Sequence, residues 1–276
     1  MLVFPNCKIN IGLIVKGKRD DGYHTIETVF YPVKLNDALE IISSSETAFV
    51  QSGIAIDIDQ NDNLCARAYR LLKKDFQQLP SVKIHLHKAI PIGAGLGGGS
   101  ADATFTLIAL DEKFALNLSS EQLHTYALQL GSDCPFFIYN APCLATGRGE
   151  TLQPLDISLK GYRLVLVNPR IHINTGWAFS ALVKTMNQPS GGADNSLRSI
   201  ISQPIATWKD RLFNDFEEPV FEKYPVIRDL KSALYDKGAL FASMSGSGSS
   251  VYGIFNNAVD PSFKFPANYL MRSILL

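Results

Sequence analysis

Three groups of residues in this chain have types and spacing that could do chemistry. The first is the run Pro91-Ile92-Gly93-Ala94-Gly95-Leu96-Gly97-Gly98-Gly99-Ser100-Ala101. Without side chains in the way, a ligand can approach the backbone closely, and successive N–H groups can turn toward an anion. Ser100 is a good N-cap type, and 101–114 has helical composition, so the run predicts a loop feeding a helix N-terminus, a site for phosphate. The second group is Lys8 and Asn10, two apart on a strand whose other face carries Cys7, Ile9, Ile11, Leu13 and Val15. On spacing alone this polar face reads as solvated. The third is Asp133, a carboxylate well fixed between a helix stop at Gly131 and Pro135. Taken alone, it reads as a turn residue.

The glycine run has several readings. It is not a Walker A loop, because Gly99 stands where the lysine before the serine should be. It contains G-x-G-x-x-G at Gly93, Gly95 and Gly98, with Asp111 beyond. A dinucleotide fold, however, wants a buried parallel strand before the loop and another strand after the helix. Here Val82, Ile84 and Leu86 alternate with Lys83, His85 and His87, which fits a half-exposed antiparallel strand. A second helix follows the first, opened by a capping box at Ser119 and Gln122. A turn without a ligand is the remaining alternative, and so many glycines in one stretch cost too much folding entropy to favour it. The pattern P-x-G-x-G-L-G-[GS]-S-[AS] resembles the phosphate loop of the galactokinase, homoserine kinase, mevalonate kinase and phosphomevalonate kinase superfamily.

The elements around these groups follow from pattern. A strand over 2–15 leads to an Asp21-Gly22 turn, and Tyr23 and His24 start a return strand through Ile26, Thr28 and Phe30. Residues 34–58 supply further strands, and Asp62 or Asn63 caps a helix over 65–76. Residues 136–139 read as an apolar strand and 146–150 as a hairpin punctuated by glycine. A division of the chain is expected within 153–161, giving domains 1–156 and 157–276. Beyond it come a buried strand at 162–167, a helix from Thr175 bearing Trp177 and Phe179, a flexible loop at 188–194 and a helix over 195–216. Pro219 opens another helix, and strands at 240–244 and 250–255 flank Ser245-Gly246-Ser247-Gly248-Ser249.

Composition narrows the class. The chain has 276 residues, with 26 Lys and Arg balancing 26 Asp and Glu. That neutrality argues against a broad nucleic-acid surface or a membrane-binding field. No apolar run reaches spanning length, and the first residues lack the apolar h-region expected of a signal segment. Cys7, Cys65, Cys134 and Cys143 show no C-x-x-C spacing, as expected of reduced thiols in a cytoplasmic protein.

The segments Cys-Lys-Ile-Asn-Ile-Gly-Leu and Arg-Asp-Asp-Gly-Tyr-His-Thr-Ile-Glu-Thr-Val-Phe resemble the N-terminus of the 4-diphosphocytidyl-2-C-methyl-D-erythritol kinase family. The D-G-Y-H motif separates that family from its galactokinase and homoserine kinase relatives. G-S-D-C-P, G-R-G-E, N-D-F-E and M-S-G-S-G-S resemble later family motifs, in order. The resemblance implies a two-domain α+β kinase, with an N-terminal domain like ribosomal protein S5 domain 2 and a ferredoxin-like C-terminal domain. The active site would lie in the cleft between them. It implies ATP and Mg²⁺, a small-molecule substrate, no nucleic-acid or membrane partner, and a monomer or weak homodimer. Asp133 would be the catalytic base and Lys8 its partner. Asn63, Leu64, Lys88, Pro91, Gly93, Ala94, Gly95, Leu96, Gly97, Gly98, Gly99, Ser100 and Ala101 would bind ATP. Asn10, Tyr23, His24, Phe30, Thr175 and Phe179 would bind substrate, with Phe179 and Tyr23 as ring partners for a base, although Phe179 reads equally as core. Ala101 stands where the family usually has a second serine, which leaves Ser100 as the hydroxyl for a metal bound with ATP.

Overall fold

The computed structural model describes residues 1–55, 62–183, 196–259 and 261–276. In chain order it has strands β1 (Leu2–Val3), β2 (Asn6–Lys18), β3 (His24–Asn36), β4 (Ala38–Ser43) and β5 (Ala48–Gly53), then helix α1 (Leu64–Asp75) and strand β6 (Val82–Lys88). Helices α2 (Gly98–Phe114), α3 (Ser120–Leu130) and α4 (Phe136–Tyr139) follow, then strands β7 (Cys143–Thr146), β8 (Thr151–Pro154) and β9 (Tyr162–Asn168). The rest comprises α5 (Thr175–Val183), α6 (Leu197–Ile201), α7 (Glu217–Lys223), α8 (Pro225–Asp236), β10 (Phe241–Met244), β11 (Val251–Asn256) and β12 (Leu270–Leu275).

The chain forms two compact units that interleave in sequence. The first comprises Met1–Lys8, Lys34–Ile92 and Gly97–Ala141, and the second Ile9–Val33, Gly93–Leu96 and Pro142–Leu276.

In the first unit a sheet of order β1-β4-β6-β5 carries the helices. On α1, Cys65, Ala68, Tyr69 and Leu72 are buried, the i, i+3, i+4, i+7 stripe of a helix lying on a core. They join Leu39 and Ile41 of β4, Val82, Ile84 and Leu86 of β6, and Ala103, Leu107 and Leu110 of α2 in one cluster. Each buried leucine or isoleucine contributes about 1.5–3 kcal/mol. The alternation expected of β6 is present, but its pairing is mixed: antiparallel to β4 and parallel to β5.

The second unit has a sheet of order β2-β3-β7-β8 and another of order β10-β11-β9-β12. The apolar run of β9 is buried as expected and pairs antiparallel with β11 and with the edge strand β12. Val165, Val167, Ile227, Leu230, Leu234, Met244 and Phe255 share its core.

Several expected elements differ. Residues 136–139 form α4, not a strand, because Pro135 sets a helical φ of −55° and Asn140 ends the turn in the left-handed region. Four apolar residues carry no periodicity that separates the two states. α2 begins three residues before Ala101, at Gly98, with Gly97 as its cap, so Ser100 lies inside the first turn and caps nothing. The helix expected over 195–216 is only α6 and a 3-10 turn at Ile205–Thr207, because Pro204 cannot continue a helix. The loop expected at 188–194 lies outside the described residues.

Candidate functional site

The glycine run ends in the first unit at the start of α2. Gly97 has φ +68°, a conformation that other residues rarely adopt. A Cβ there would stand 3.1 Å from Lys8 Cε and from Phe137 Cζ. Glycine at 97 therefore lets the Lys8 stem pass against the loop, and Leu64 packs 3.5 Å from where a Cβ on Gly99 would be. Asn63 is the cap of α1, its side chain accepting from Cys65 N at 2.9 Å, and Leu64 opens the helix. Ala101 is fully buried, and Pro91 is half-buried.

Lys8 comes off β2 into the protein, and its polar face is buried, not solvated. Its ammonium lies 3.4 Å from Asp133 Oδ2. The Lys8 side chain is 4% exposed and that of Asp133 32%, so the carboxylate alone is open to an incoming group. Asp133 sits in a tight turn, with Cys134 N donating to Gly131 O and Phe137 N to Cys134 O. Thr104 on α2 donates to the carbonyl of Cys134 at 2.9 Å, fixing this turn to the glycine-loop helix. Burial pushes the adjacent Cys134 thiol up to about 11, so it is no nucleophile.

Lys88, at the end of β6, points inward. It donates to Asp37 and, at 2.7 Å, to Asp102 of α2. Asp37 also accepts from Ala89 N at 2.6 Å and Ile90 N at 2.9 Å. Burial works against the Lys88 charge, but the two carboxylates outweigh it and raise its pKa. Burial pushes Asp102 up to about 7, with Lys88 opposing and Asp37 reinforcing the rise. Asp37 and Asp102 were missed in sequence, where single aspartates read as surface or turn residues.

In the second unit, Gly93–Leu96 meets other backbone. A Cβ on Gly95 would fall 1.8 Å from Ser245 O, and one on Gly93 2.5 Å from His172 Nδ1. Ser250 N donates to Ala94 O, and Leu96 is buried. Ser245 Oγ donates to Gly95 O at 2.8 Å and accepts from Asn10 N at 3.2 Å. The Asn10 side chain donates to Thr28 Oγ1 at 2.9 Å, and Tyr252 OH donates to Asn10 O at 2.7 Å. Asn10 thus belongs to a buried neutral network. The turn of glycines and serines at 245–249 is a second loop packed on the first.

The aromatic candidates lie in the same unit. His24 stacks on Phe179, ring centroids 4.5 Å apart and planes at 12°. Phe216 meets Phe179 edge-on at 4.8 Å, so Phe179 is both core neighbour and ring platform. Burial, with Lys18 nearby, lowers the His24 pKa and favours the neutral ring. His24 Nε2 is a buried atom without a hydrogen-bond partner. Tyr23 is 55% exposed, with the Arg148 guanidinium 4.8 Å from its ring centroid. Arg148, in the β7–β8 turn, was assigned no role in sequence. Thr175 at the start of α5 bonds Ser247 Oγ at 3.0 Å. Phe30 is buried in β3, a core position.

Comparison with known proteins gives the family and the fold. Residues 63–141 match the GHMP kinases N terminal domain, and residues 197–263 match the GHMP kinases C terminal family. The chain is 54% identical over 260 residues to a 4-diphosphocytidyl-2-C-methyl-D-erythritol kinase of Bacteroides fragilis, covering 93% of this chain and 92% of the relative. It is 52% identical over 261 residues to one from Azobacteroides pseudotrichonymphae, covering 95% and 96%. A crystal structure of 4-(cytidine 5'-diphospho)-2C-methyl-D-erythritol kinase superposes with a TM-score of 0.77 at 30% identity, covering 92% of this chain and 90% of that one. The two-domain kinase fold implied by the motifs is therefore the fold of this protein. The chain belongs to the 4-diphosphocytidyl-2-C-methyl-D-erythritol kinase family of the GHMP kinases.

Proposed function

We propose that the protein transfers the γ-phosphoryl group of ATP to the 2-hydroxyl of 4-diphosphocytidyl-2-C-methyl-D-erythritol, a step of the non-mevalonate route to isoprenoid precursors. The observation that carries the chemistry is the pairing of Lys8 with Asp133, a buried ammonium facing a carboxylate that is open on its other side. The start of α2 supports an ATP site. Its first N–H groups lack helical partners, and the helix dipole favours phosphate there. Asp133 accepts the hydroxyl proton as the oxygen attacks, and Lys8 stabilises the developing alkoxide. Phosphoryl transfer asks for positioning and charge stabilisation more than covalent chemistry, and these groups are suited to both.

The donor set fits Mg²⁺ carried mainly by the nucleotide. Among the described residues no group of three or more His, Cys, Asp or Glu could cage a metal. Ser100 in the first turn of α2 offers one hydroxyl ligand, the sparse provision that suits a phosphate-bound Mg²⁺. When bound, the ion would neutralise phosphate charge.

In this reading His24, Tyr23, Phe179 and Thr175 serve the cytidyl end and Asn10 the erythritol diphosphate. In the same reading residues 1–156 are the nucleotide-binding half and 157–276 the substrate-side half; the two matched family stretches fall on either side of that division, while the compact units interleave across it. A cytoplasmic setting agrees with four free, buried cysteines. Among the described residues no helix is long and apolar enough to cross a membrane.

The test is ADP release from Mg-ATP with the cytidyl alcohol, homoserine, mevalonate and galactose in parallel. Release stimulated by the cytidyl alcohol alone is expected. Release with another alcohol, and none with this one, overturns the substrate assignment.

A further inference from the structure

The N-D-F-E segment has no part in the chemistry above, yet it holds a buried network. Asn214 is 3% exposed, and its amide donates at 2.8 Å to both Met244 O and Gly246 O. Its own Oδ1 accepts from Phe216 N at 3.0 Å, so the side chain is fixed from both ends. Glu217 takes the N–H of Met244 at 2.8 Å, and Lys231 holds Glu217 at 2.6 Å. Both peptide groups of the last residue of β10 are thereby fastened by this one segment. The segment is itself stitched to β2: Leu13 N donates to Phe213 O, Asp215 N to Leu13 O, and Val15 N to Asp215 Oδ2.

What Asn214 fastens is the turn that touches the nucleotide loop. Gly246 has φ +56°, and a Cβ there would lie 3.1 Å from Gly95 Cα. Ser245 bonds Gly95 and Asn10 in the same place. With backbones this close, a shift of Ser245 and Gly246 must move Ala94 and Gly95, because packed interiors transmit displacement. We infer that Asn214 is a positioning residue: by bridging the carbonyls of Met244 and Gly246 it holds the 245–246 turn against Gly95 and Asn10, and so sets the shape of the ATP loop. This rests on the reading of 93–101 as the ATP loop.

The test uses the full chain without the alcohol substrate. ATP affinity of Asn214→Leu, Ser245→Ala and the double variant is measured by calorimetry, and backbone amide exchange is followed at 94–96 and 245–248. Asn214→Leu should weaken ATP binding about tenfold, the effect of losing one to two buried hydrogen bonds. Exchange should rise at both loops and stay unchanged within α2, a local signature that general destabilisation does not give. In the double variant the two losses should not multiply, because both act through one tie. Wild-type ATP affinity with unchanged exchange at 94–96 in folded Asn214→Leu overturns the inference, and so do losses that multiply. If Asn214→Leu does not fold, Ser245→Ala decides alone: it keeps the clamp, cuts the tie to Gly95, and must weaken ATP binding. A wild-type protein that binds ATP but ignores the cytidyl alcohol overturns the substrate assignment and leaves this inference standing.

Discussion

Lys8 and Lys88 are both buried, both in the first unit, and both face carboxylates, yet their surroundings differ. Lys88 is sealed between Asp37 and Asp102, whose side chains are 0% and 4% exposed. Lys8 faces the carboxylate of Asp133, which is 32% exposed. A sealed ammonium with two partners ties strand ends to a helix. An ammonium beside an open carboxylate keeps a charge near a group arriving from outside. Under the proposed function the same residue pairing serves architecture at one place and chemistry at the other, and accessibility of the carboxylate separates the two.

The largest effect expected is on Lys88. In Lys88→Met, Asp37 and Asp102 face each other without a cation, and unfolding free energy should drop by about 3–5 kcal/mol, the range for breaking a buried ion pair. Lys8→Met leaves a carboxylate that water can reach and should lose much less. Urea denaturation of both variants checks this, and equal losses would break the contrast. Next comes Asp133→Asn, in which turnover should fall about 10²-fold or more while ATP binding stays near wild type. Unchanged turnover would remove Asp133 from the chemistry.

The open pair was more legible in sequence than the sealed one. Lys8, Asn10 and Asp133 stand in motifs, and the capping box at Ser119 and Gln122 is present as read, since local hydrogen bonds within a few residues leave a signature in the residue order. Asp37 and Asp102 leave none. Their meaning comes from a lysine 51 and 14 residues away, and only the folded register of β4, β6 and α2 brings them together. Asn214 was seen as part of a motif, but its partners at 244 and 246 were invisible for the same reason. Ser100 was misplaced as a cap because a glycine cap needs no side-chain signal: Gly97 reaches the left-handed region that starts α2 without one.

The sealed pair also predicts a pH response. The folded-state pKa of Asp102 is raised from 3.8 to about 7, so its contribution to stability is present in full below about pH 4 and is lost as pH rises toward 7. The urea midpoint of the wild-type protein should therefore fall between pH 5 and pH 7.5 by more than that of Asp102→Asn, which cannot titrate. Parallel pH profiles for the two proteins would mean that the triad shares its charge differently.

The smallest effect tests a setting between sealed and open. Arg148 lies over the ring of Tyr23, and its side chain is 28% exposed. The β7–β8 turn carrying it is anchored beside His24, where Ile26 N donates to Gly147 O at 2.7 Å. A cation over an aromatic face at an accessible site contributes about 0.5–1 kcal/mol. In Arg148→Met the Tyr23 ring loses that restraint, and KM for the cytidyl alcohol should rise about two- to fivefold, with KM for ATP unchanged. Arg148→Lys should recover part of the loss, since an ammonium also sits over the ring. Steady-state kinetics of the two variants with each substrate varied in turn decide the matter: a rise in KM for ATP, or none for the alcohol, would mean that Arg148 does not act on the alcohol through the Tyr23 ring.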